Sequence, residues 1–181
     1  MGIFGRVITP EDKDWTWVLS RPCTECGFDA GACNKGRIPG LLRENAAAWQ
    51  EVLDLGRIRS GRPDPSSWST LEYACHLRDA LRCLEGRIDL MVAEEDPVFV
   101  LWDQDAAAEE ERYDEQDPAV VVDELTAAAD SLAIRLEGIS THEWPRQGRR
   151  SDGVTFTVAM ISWYALHEAN HHLSDVSTPH R

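Results

Sequence analysis

The sequence has few basic residues and lacks a long hydrophobic run. It contains 18 Lys and Arg against 32 Asp and Glu, which gives a formal net charge of -14. Non-specific binding to nucleic acid depends on clustered basic side chains, and the short basic run 146–150 is too small to reverse this balance. The chain also does not open with a cationic segment followed by an apolar core. We therefore expect a cytoplasmic protein without nucleic-acid or membrane partners.

Internal repeats and low-complexity segments are also missing. A chain of 181 residues with 43% apolar residues can bury the core of one domain. Its five cysteines are an odd number, which does not suit a complete disulfide framework. Because disulfides are rare in reducing compartments, we expect these residues to be thiols or metal ligands.

Apolar residues recur at helical spacing in four long segments, and no segment has a convincing hairpin pattern. The four patterns begin at or next to Ile38, Ser69, Pro118 and Thr155. Ser69 and Glu72 have the spacing of a capping box. The long acidic connection 96–118 is expected to be a solvated loop, and the alternative is that Trp102, Asp103 and the acids that follow cover a pocket. The sequence therefore predicts an all-α protein: a four-helix bundle over 37–181, preceded by an irregular cysteine-containing arm over 1–36.

Three histidines stand out because of their positions on the predicted helices. His167 and His171 are one helical turn apart, a spacing at which two imidazoles can hold one metal ion. Catalytic metal sites usually have three protein ligands and one open position, and His76 of the second helix can face the pair across a bundle. We predict a divalent site of His76, His167 and His171, with zinc or nickel as the ion. Glu72 or Tyr73 could orient the second ring nitrogen of His76.

The last helix also permits a different interpretation. His167, Glu168 and His171 match the HExxH pattern of zinc peptidases, in which the glutamate is the general base. Almost no chain remains for the usual downstream ligand, so this metallohydrolase is the less favoured alternative. We assign Glu168 no catalytic role. His172 points about 100° away from His171, which predicts a place outside the ligand set, paired with Glu168 or solvent.

The arm contains a second candidate metal site. Cys23 and Cys26 have the spacing of a zinc knuckle, and Cys33 could be a third ligand, but no fourth cysteine or nearby histidine follows in the arm. Ordinary thiols, a redox pair and an arm that folds over the bundle mouth are the alternatives. Cys83 is close to His76 by helical spacing, and we expect it to be a small buried thiol.

Two stretches resemble a known family. Trp68-Ser-Thr-Leu-Glu-Tyr-Ala-Cys-His76-Leu-Arg-Asp79 and His167-Glu-Ala-Asn-His171-His172 are together similar to the DinB-like superfamily of metal-binding four-helix bundles. The resemblance covers about 38–176. It implies an up-up-down-down bundle with one long crossing connection, frequently a homodimer, and a divalent ion bound by His76, His167 and His171.

The same resemblance implies a function. Similar proteins include mycothiol-dependent maleylpyruvate isomerases and low-molecular-weight thiol S-transferases of Gram-positive bacteria. We therefore expect a metal-dependent transferase or isomerase that uses a small thiol such as mycothiol and a small electrophile. A metal ion held by neutral imidazoles would lower the pKa of a bound thiol. Arg78, Arg82 or the 146–150 run could supply a counter-charge for an anionic thiol. A non-catalytic metal-binding or stress-linked module is the alternative.

Overall fold

The computed structural model describes residues 14–54, 61–63 and 67–177. The first thirteen residues of the predicted arm lie outside this part. Within these ranges the chain forms five α-helices: α1 (Ile38–Asp54), α2 (Thr70–Ala93), α3 (Gln104–Glu110), α4 (Pro118–Glu137) and α5 (Val158–Ser177). Three short strands, β1 (Val98–Phe99), β2 (Gln147–Arg150) and β3 (Thr155–Thr157), form a small sheet.

Local side-chain hydrogen bonds explain where the helices begin. The Ser69 hydroxyl accepts a hydrogen bond from the backbone N–H of Glu72, and the Glu72 carboxylate accepts one from the backbone N–H of Ser69. This confirms the predicted capping box, which satisfies amides that have no partner inside α2. Asp117 caps α4 in a similar way, ahead of Pro118. The predicted helix starts at Ile38 and Pro118 are confirmed.

The four long helices form a bundle, as predicted. Helices α1 and α2 each pack against both α4 and α5, so the consecutive helices α1 and α2 stand diagonally across the bundle. This arrangement requires the crossing connection that the family resemblance implied. The core between the helices is filled by fully buried apolar side chains, the largest of which include Trp49, Leu81, Ile88, Leu125, Leu132 and Leu166. Burial of these apolar side chains, rather than helix propensity alone, stabilises the long helices.

The expectation that the chain has no hairpin was wrong. Strands β2 and β3 are antiparallel and joined by a tight turn, in which Gly153 has a φ of 95° that side chains disfavour. Strand β1 adds to β2 in parallel. A Cβ on Gly148 would lie 2.7 Å from side-chain atoms of Met91 and Phe99, so only glycine lets β2 approach α2 this closely. Strands of two to four residues are too short to show a periodic pattern.

The connection 96–118 is also more structured than predicted. It contains β1, α3 and a 3-10 helix, Tyr113–Glu115, that packs on α2. Tyr113 is fully buried, and its hydroxyl donates a 2.7 Å hydrogen bond to Asp79. The segment therefore covers one side of α2 instead of extending into solvent.

The described part of the N-terminal arm packs on α5. A 3-10 helix, Trp15–Leu19, contacts α5 directly and buries Val18 completely. The arm then turns through Cys23 to Phe28 and leads into α1.

Among the described helices, none combines the length and apolar character needed to span a membrane.

Candidate metal centres on the last helix

Two groups of potential metal ligands lie along α5. The arm group consists of Cys23, Cys26, His167 and His171, and the cavity group consists of His76, Glu168 and His172. In each group one ligand atom per residue lies within 4.8 Å of every other one. Because each residue turns an α-helix by about 100°, the pairs 167/171 and 168/172 occupy adjacent faces of α5. The last helix therefore presents two pairs of ligands side by side.

The structure divides the predicted three-histidine set between these groups. His167 and His171 lie together, as their spacing predicted, whereas His76 lies with Glu168 and His172. Over the ranges that the structure describes, the three histidines do not form one group. A single ion shared by all three stays a prediction. The predicted pairing of His172 with Glu168 is confirmed, with 3.3 Å between Nε2 and Oε2.

The predicted cysteine set is divided as well. Cys23 and Cys26 come together, but Cys33 is not a member of either group in the described part of the chain. Its thiol lies 4.0 Å from the carbonyl oxygen of Asn34. The two histidines that join the cysteine pair come from the far end of the sequence. The predicted arm site did not include these two histidines, although Cys-x2-Cys followed by His-x3-His is a common zinc-ligand spacing.

A tight turn brings the two cysteines of the arm group together. The backbone N–H of Cys23 donates to the carbonyl of Phe28 at 2.8 Å, and that of Gly27 donates to the carbonyl of Cys23 at 2.9 Å. Gly27 has a φ of 76°, where residues with a Cβ are strained. The turn therefore depends on the glycine that directly follows Cys26.

The histidines of the arm group meet the turn from α5. The Sγ atom of Cys23 lies 3.8 Å from Nδ1 of His171. On the other side of that ring, Nε2 lies 3.4 Å from a carboxylate oxygen of Glu25. His167 is fully buried, and among the described residues neither of its ring nitrogens has a hydrogen-bond partner. The arm group thus contains a buried imidazole whose polar atoms are unsatisfied.

The electrostatics of the arm group favour a Cys23 thiolate next to a protonated His167. Burial raises the pKa of Cys23, but hydrogen bonding from the Cys26 backbone and interaction with His167 outweigh it, and the net pKa is lowered. Burial lowers the pKa of His167, while the Cys26 thiol and the Glu168 carboxylate raise it to a net value of about 10. A negative potential therefore surrounds His167.

In the cavity group, Glu168 is the central residue. Its Oε2 atom lies 3.5 Å from Nε2 of His76 and 3.3 Å from Nε2 of His172. The Nδ1 atom of His172 lies 3.1 Å from Asp175. The Nδ1 atom of His76 is buried and has no hydrogen-bond partner among the described residues. The group therefore brings one carboxylate and two imidazoles to one point.

The charges of the cavity group follow from this geometry. Burial lowers the pKa of His76 despite the nearby Glu168 carboxylate. Burial raises the pKa of Glu168, but interaction with His167, His172 and His76 outweighs it and holds the pKa well below its ordinary value. Burial lowers the pKa of His172, while Asp175 and Glu168 raise it to a net value of about 9. Glu168 is thus an anion that favours the protonated forms of two neighbours, His172 and His167.

His76 and Glu168 also line a cavity of about 100 Å³. Most of its other walls are apolar or aromatic, from Ala80, Leu84, Leu101, Trp102, Phe156, Ile161 and Tyr164. Arg87 and Arg150 line it too. Arg87 donates a hydrogen bond to the carbonyl of Val100 at 3.2 Å, and Arg150 pairs with Asp152 at 2.7 Å. The cavity therefore combines apolar walls, two guanidinium groups and the cavity group.

Several residues proposed for supporting roles have other partners. Glu72 binds Arg62 and the backbone of Ser69, so its carboxylate does not orient His76. The Tyr73 ring lies 5.0 Å from the ring of His172. Cys83 lines the cavity, where burial raises the pKa of its thiol.

The predicted counter-charges lie in two different places. Arg78 is bound by Asp79 and Glu124, and Arg82 pairs with Asp79, at a second depression that meets the cavity at Trp102. Of the basic run 146–150, Arg150 is the residue that lines the cavity. The positive charges closest to the cavity group within the cavity walls therefore come from α2 and β2.

A four-helix bundle with inward-facing imidazole and carboxylate groups defines a candidate metal-binding helical protein. The chain belongs to the DinB superfamily, whose sequence model matches residues 59–176.

Among solved structures, the chain is similar to YfiT from Bacillus subtilis, described as a probable metal-dependent hydrolase with an unusual four-helix bundle topology. The two share 19% sequence identity and a TM-score of 0.70, over 79% of this chain and 85% of YfiT. At this identity the likeness shows a shared fold. No curated protein matches the chain.

Proposed function

We propose that this protein is a metal-dependent enzyme, a thiol transferase or isomerase, in which His76, Glu168 and His172 hold a divalent ion. The observation that carries this proposal is the position of the cavity group: three donors lie together, and two of them line a cavity. Three protein ligands with access to a further position are typical of catalytic metal sites, whereas structural sites are closed.

The donor atoms fit a divalent ion. Two imidazoles and one carboxylate suit zinc or nickel, the ions expected from the sequence. The Nε2 atoms of His76 and His172 both face the same carboxylate oxygen of Glu168, at 3.5 Å and 3.3 Å, so the three donors converge on one point. A bound divalent ion would supply positive charge that lowers the pKa of a thiol or water molecule in contact with it.

The remaining cavity residues fit a small, anionic reactant. Arg87 and Arg150 can bind a carboxylate or sulfonate group, because guanidinium groups form charge-assisted hydrogen bonds with such anions. The apolar walls exclude water from the reacting atoms and so strengthen these interactions. A cavity of about 100 Å³ holds only part of a low-molecular-weight thiol such as mycothiol, which would place its thiol end inside and the rest of the molecule outside.

The test is a conjugation assay on the metal-loaded protein. Mycothiol or bacillithiol is incubated with a haloarene or a bimane, and the conjugate is measured with zinc or nickel present and after chelation. We expect His76→Ala to lose the cavity ion and conjugation together. His142→Ala is the matched control, since His142 is an exposed histidine outside both groups. A rate no higher than that of the metal-free protein, with every thiol tested, would contradict the proposal.

A metal-dependent hydrolase is the second candidate. Two histidines and one glutamate form the ligand set of catalytic zinc in thermolysin and carboxypeptidase A, where water occupies the fourth position. The description of YfiT as a probable metal-dependent hydrolase points the same way. This version differs from the HExxH alternative because Glu168 is a ligand beside His172, not a base between His167 and His171. Metal-dependent hydrolysis of esters or amides without added thiol would favour it.

Two further outcomes are informative. Stoichiometric metal with neither conjugation nor hydrolysis would favour the non-catalytic metal-binding module. The homodimer expected from the family resemblance stays a prediction, and light scattering coupled to size-exclusion chromatography would measure it.

A further inference from the structure

We infer that Cys23, Cys26, His167 and His171 form a structural zinc site that fastens the N-terminal arm to α5. This site is separate from the cavity group and does not depend on the proposed function. The first support is the ligand chemistry. Two thiolates and two imidazoles are a common set for structural zinc, and Cys-x2-Cys and His-x3-His are both within its usual spacings.

The geometry of the four donors suits a tetrahedral ion. All four ligand atoms lie within 4.8 Å of one another. With ordinary Zn–S and Zn–N bond lengths, the sulfur and nitrogen corners of a tetrahedron are roughly 3.6 Å apart. The 3.8 Å between Sγ of Cys23 and Nδ1 of His171 is close to this value. The other pairs lie within 4.8 Å, so the group closes around one ion with no pair shortening by more than roughly 1.5 Å.

The second support is the unsatisfied imidazole of His167. This side chain is fully buried, yet neither ring nitrogen has a hydrogen-bond partner among the described residues. Buried polar atoms almost always have a partner, because burial of an unsatisfied one is destabilising. A metal ion shared with the two cysteines supplies a partner for one of these nitrogens, and a carboxylate oxygen of Glu168 lies 3.9 Å from Nδ1. The ion also leaves the buried site neutral, because two thiolates balance the charge of one divalent ion.

The surroundings indicate a closed site. The second ring nitrogen of His171 lies 3.4 Å from Glu25, and ligand histidines usually have a carboxylate or carbonyl at this position. The Trp15 ring covers His171 at 4.5 Å and His167 at 5.5 Å between centroids, and Phe28 lies 5.8 Å from His167. None of the four ligands lines the cavity. Four protein ligands under aromatic side chains leave no position for a substrate, which is typical of structural zinc.

The inference has a spectroscopic test that needs no enzyme activity. Cobalt substituted for zinc in the otherwise native protein should give a thiolate-to-metal charge-transfer band and the visible bands of a tetrahedral ion. His76→Ala should keep this spectrum and about one zinc per chain. Cys26→His should still bind zinc but lose about half of the charge-transfer intensity, because one of two sulfur ligands is replaced. The wild-type spectrum remains decisive if a variant does not fold.

Cys26→Ser should lose one equivalent of zinc per chain, and Cys33→Ser, the matched arm cysteine outside the group, should lose none. The inference is overturned if wild-type protein purified without oxidant shows no thiolate-to-cobalt band, or if Cys26→Ser keeps the full zinc content. It is also overturned if mass spectrometry finds Cys23 and Cys26 joined as a disulfide in that protein. Zinc at the arm group without any catalysis would refute the proposed function and leave this inference intact.

Discussion

The arm group and the cavity group occupy adjacent faces of α5 but differ in their donors and surroundings. The arm group has four donors, two of them sulfur, under aromatic side chains. The cavity group has three donors without sulfur, and it borders a cavity. Four ligands with closed access are typical of structural sites, and three with open access of catalytic sites. One helix can therefore carry both kinds, because a shift of a single residue changes the neighbours that each ligand pair meets.

Glu168 connects the two groups. One of its carboxylate oxygens lies 3.9 Å from Nδ1 of His167, and the other lies near His76 and His172. The same carboxylate is thus a direct member of one group and an outer neighbour of the other. Substitutions in α5 can separate these two roles.

The largest expected effect is on activity. His172→Ala removes one of three cavity ligands, so we expect kcat/KM to fall by about 10³-fold, as loss of several kcal/mol of metal stabilisation implies. Elemental analysis should show the cavity ion lost and the arm ion kept, whereas His171→Ala should show the reverse.

Alanine variants of four histidines, His76, His167, His171 and His172, also test the prediction of a three-histidine site. If alanine at His76, His167 and His171 each removes the same ion, and His172→Ala removes none, one ion shared by the three histidines is correct. The division into two groups would then be wrong.

The next effect is on stability. Cys23→Ser removes a ligand from the arm group and releases the arm from α5. We therefore expect the free energy of unfolding to fall by about 3 kcal/mol. For a chain of this size that lowers Tm by roughly 6–12 °C. Cys33→Ser should shift Tm by no more than about 2 °C. Thermal unfolding with and without chelator measures both. If chelation leaves the Tm of the native protein unchanged, the arm group does not contribute metal-dependent stability.

A smaller effect is expected for Glu168→Gln, which keeps the size of the side chain and removes its charge. The cavity ion should bind about 100-fold more weakly, because a charged ligand is lost. The affinity for the arm ion should fall by only about tenfold, because Glu168 is an outer neighbour of His167 at 3.9 Å. Competition with a chromophoric chelator gives both affinities. Equal weakening of both ions would show that the groups act as one unit.

The smallest effect concerns the capped start of α2, the helix that carries His76. Burial raises the pKa of Glu72, but Arg62 and the Ser69 backbone outweigh it, and the net pKa is below the ordinary 4.5. The stabilisation from this carboxylate is therefore present above pH 4.5 and is lost as pH falls through the lower pKa of the folded state.

We expect Glu72→Gln to lower the free energy of unfolding by about 1–2 kcal/mol at pH 7, and the difference to shrink as the solution is acidified below pH 4.5. Urea unfolding at several pH values measures this difference. A difference that stays constant from pH 7 to pH 3 would contradict the assigned role of the carboxylate. The arm ion should be unaffected, which separates the elements that support the two groups.

Much of the fold was predictable because its signals are local. The starts of α1, α2 and α4 follow from helical periodicity, from the capping box at Ser69 and from Pro118 at the start of α4. The hairpin of β2 and β3 was missed, since it depends on the close packing of Gly148 against Met91 and Phe99. The connection 96–118 was predicted to be solvated because it is acidic, yet Tyr113 is buried through its contact with α2.

The sequence by itself determined which residues can bind metal and which of them share a helical face, since the spacing of His167 and His171 depends only on the turn of an α-helix. The tertiary structure decided which ligands meet. The rotation of α5 in the bundle turns Glu168 and His172 toward His76, and the path of the arm brings Cys23 and Cys26 to His167 and His171. Such pairings depend on packing between segments far apart in the chain, which no local spacing encodes.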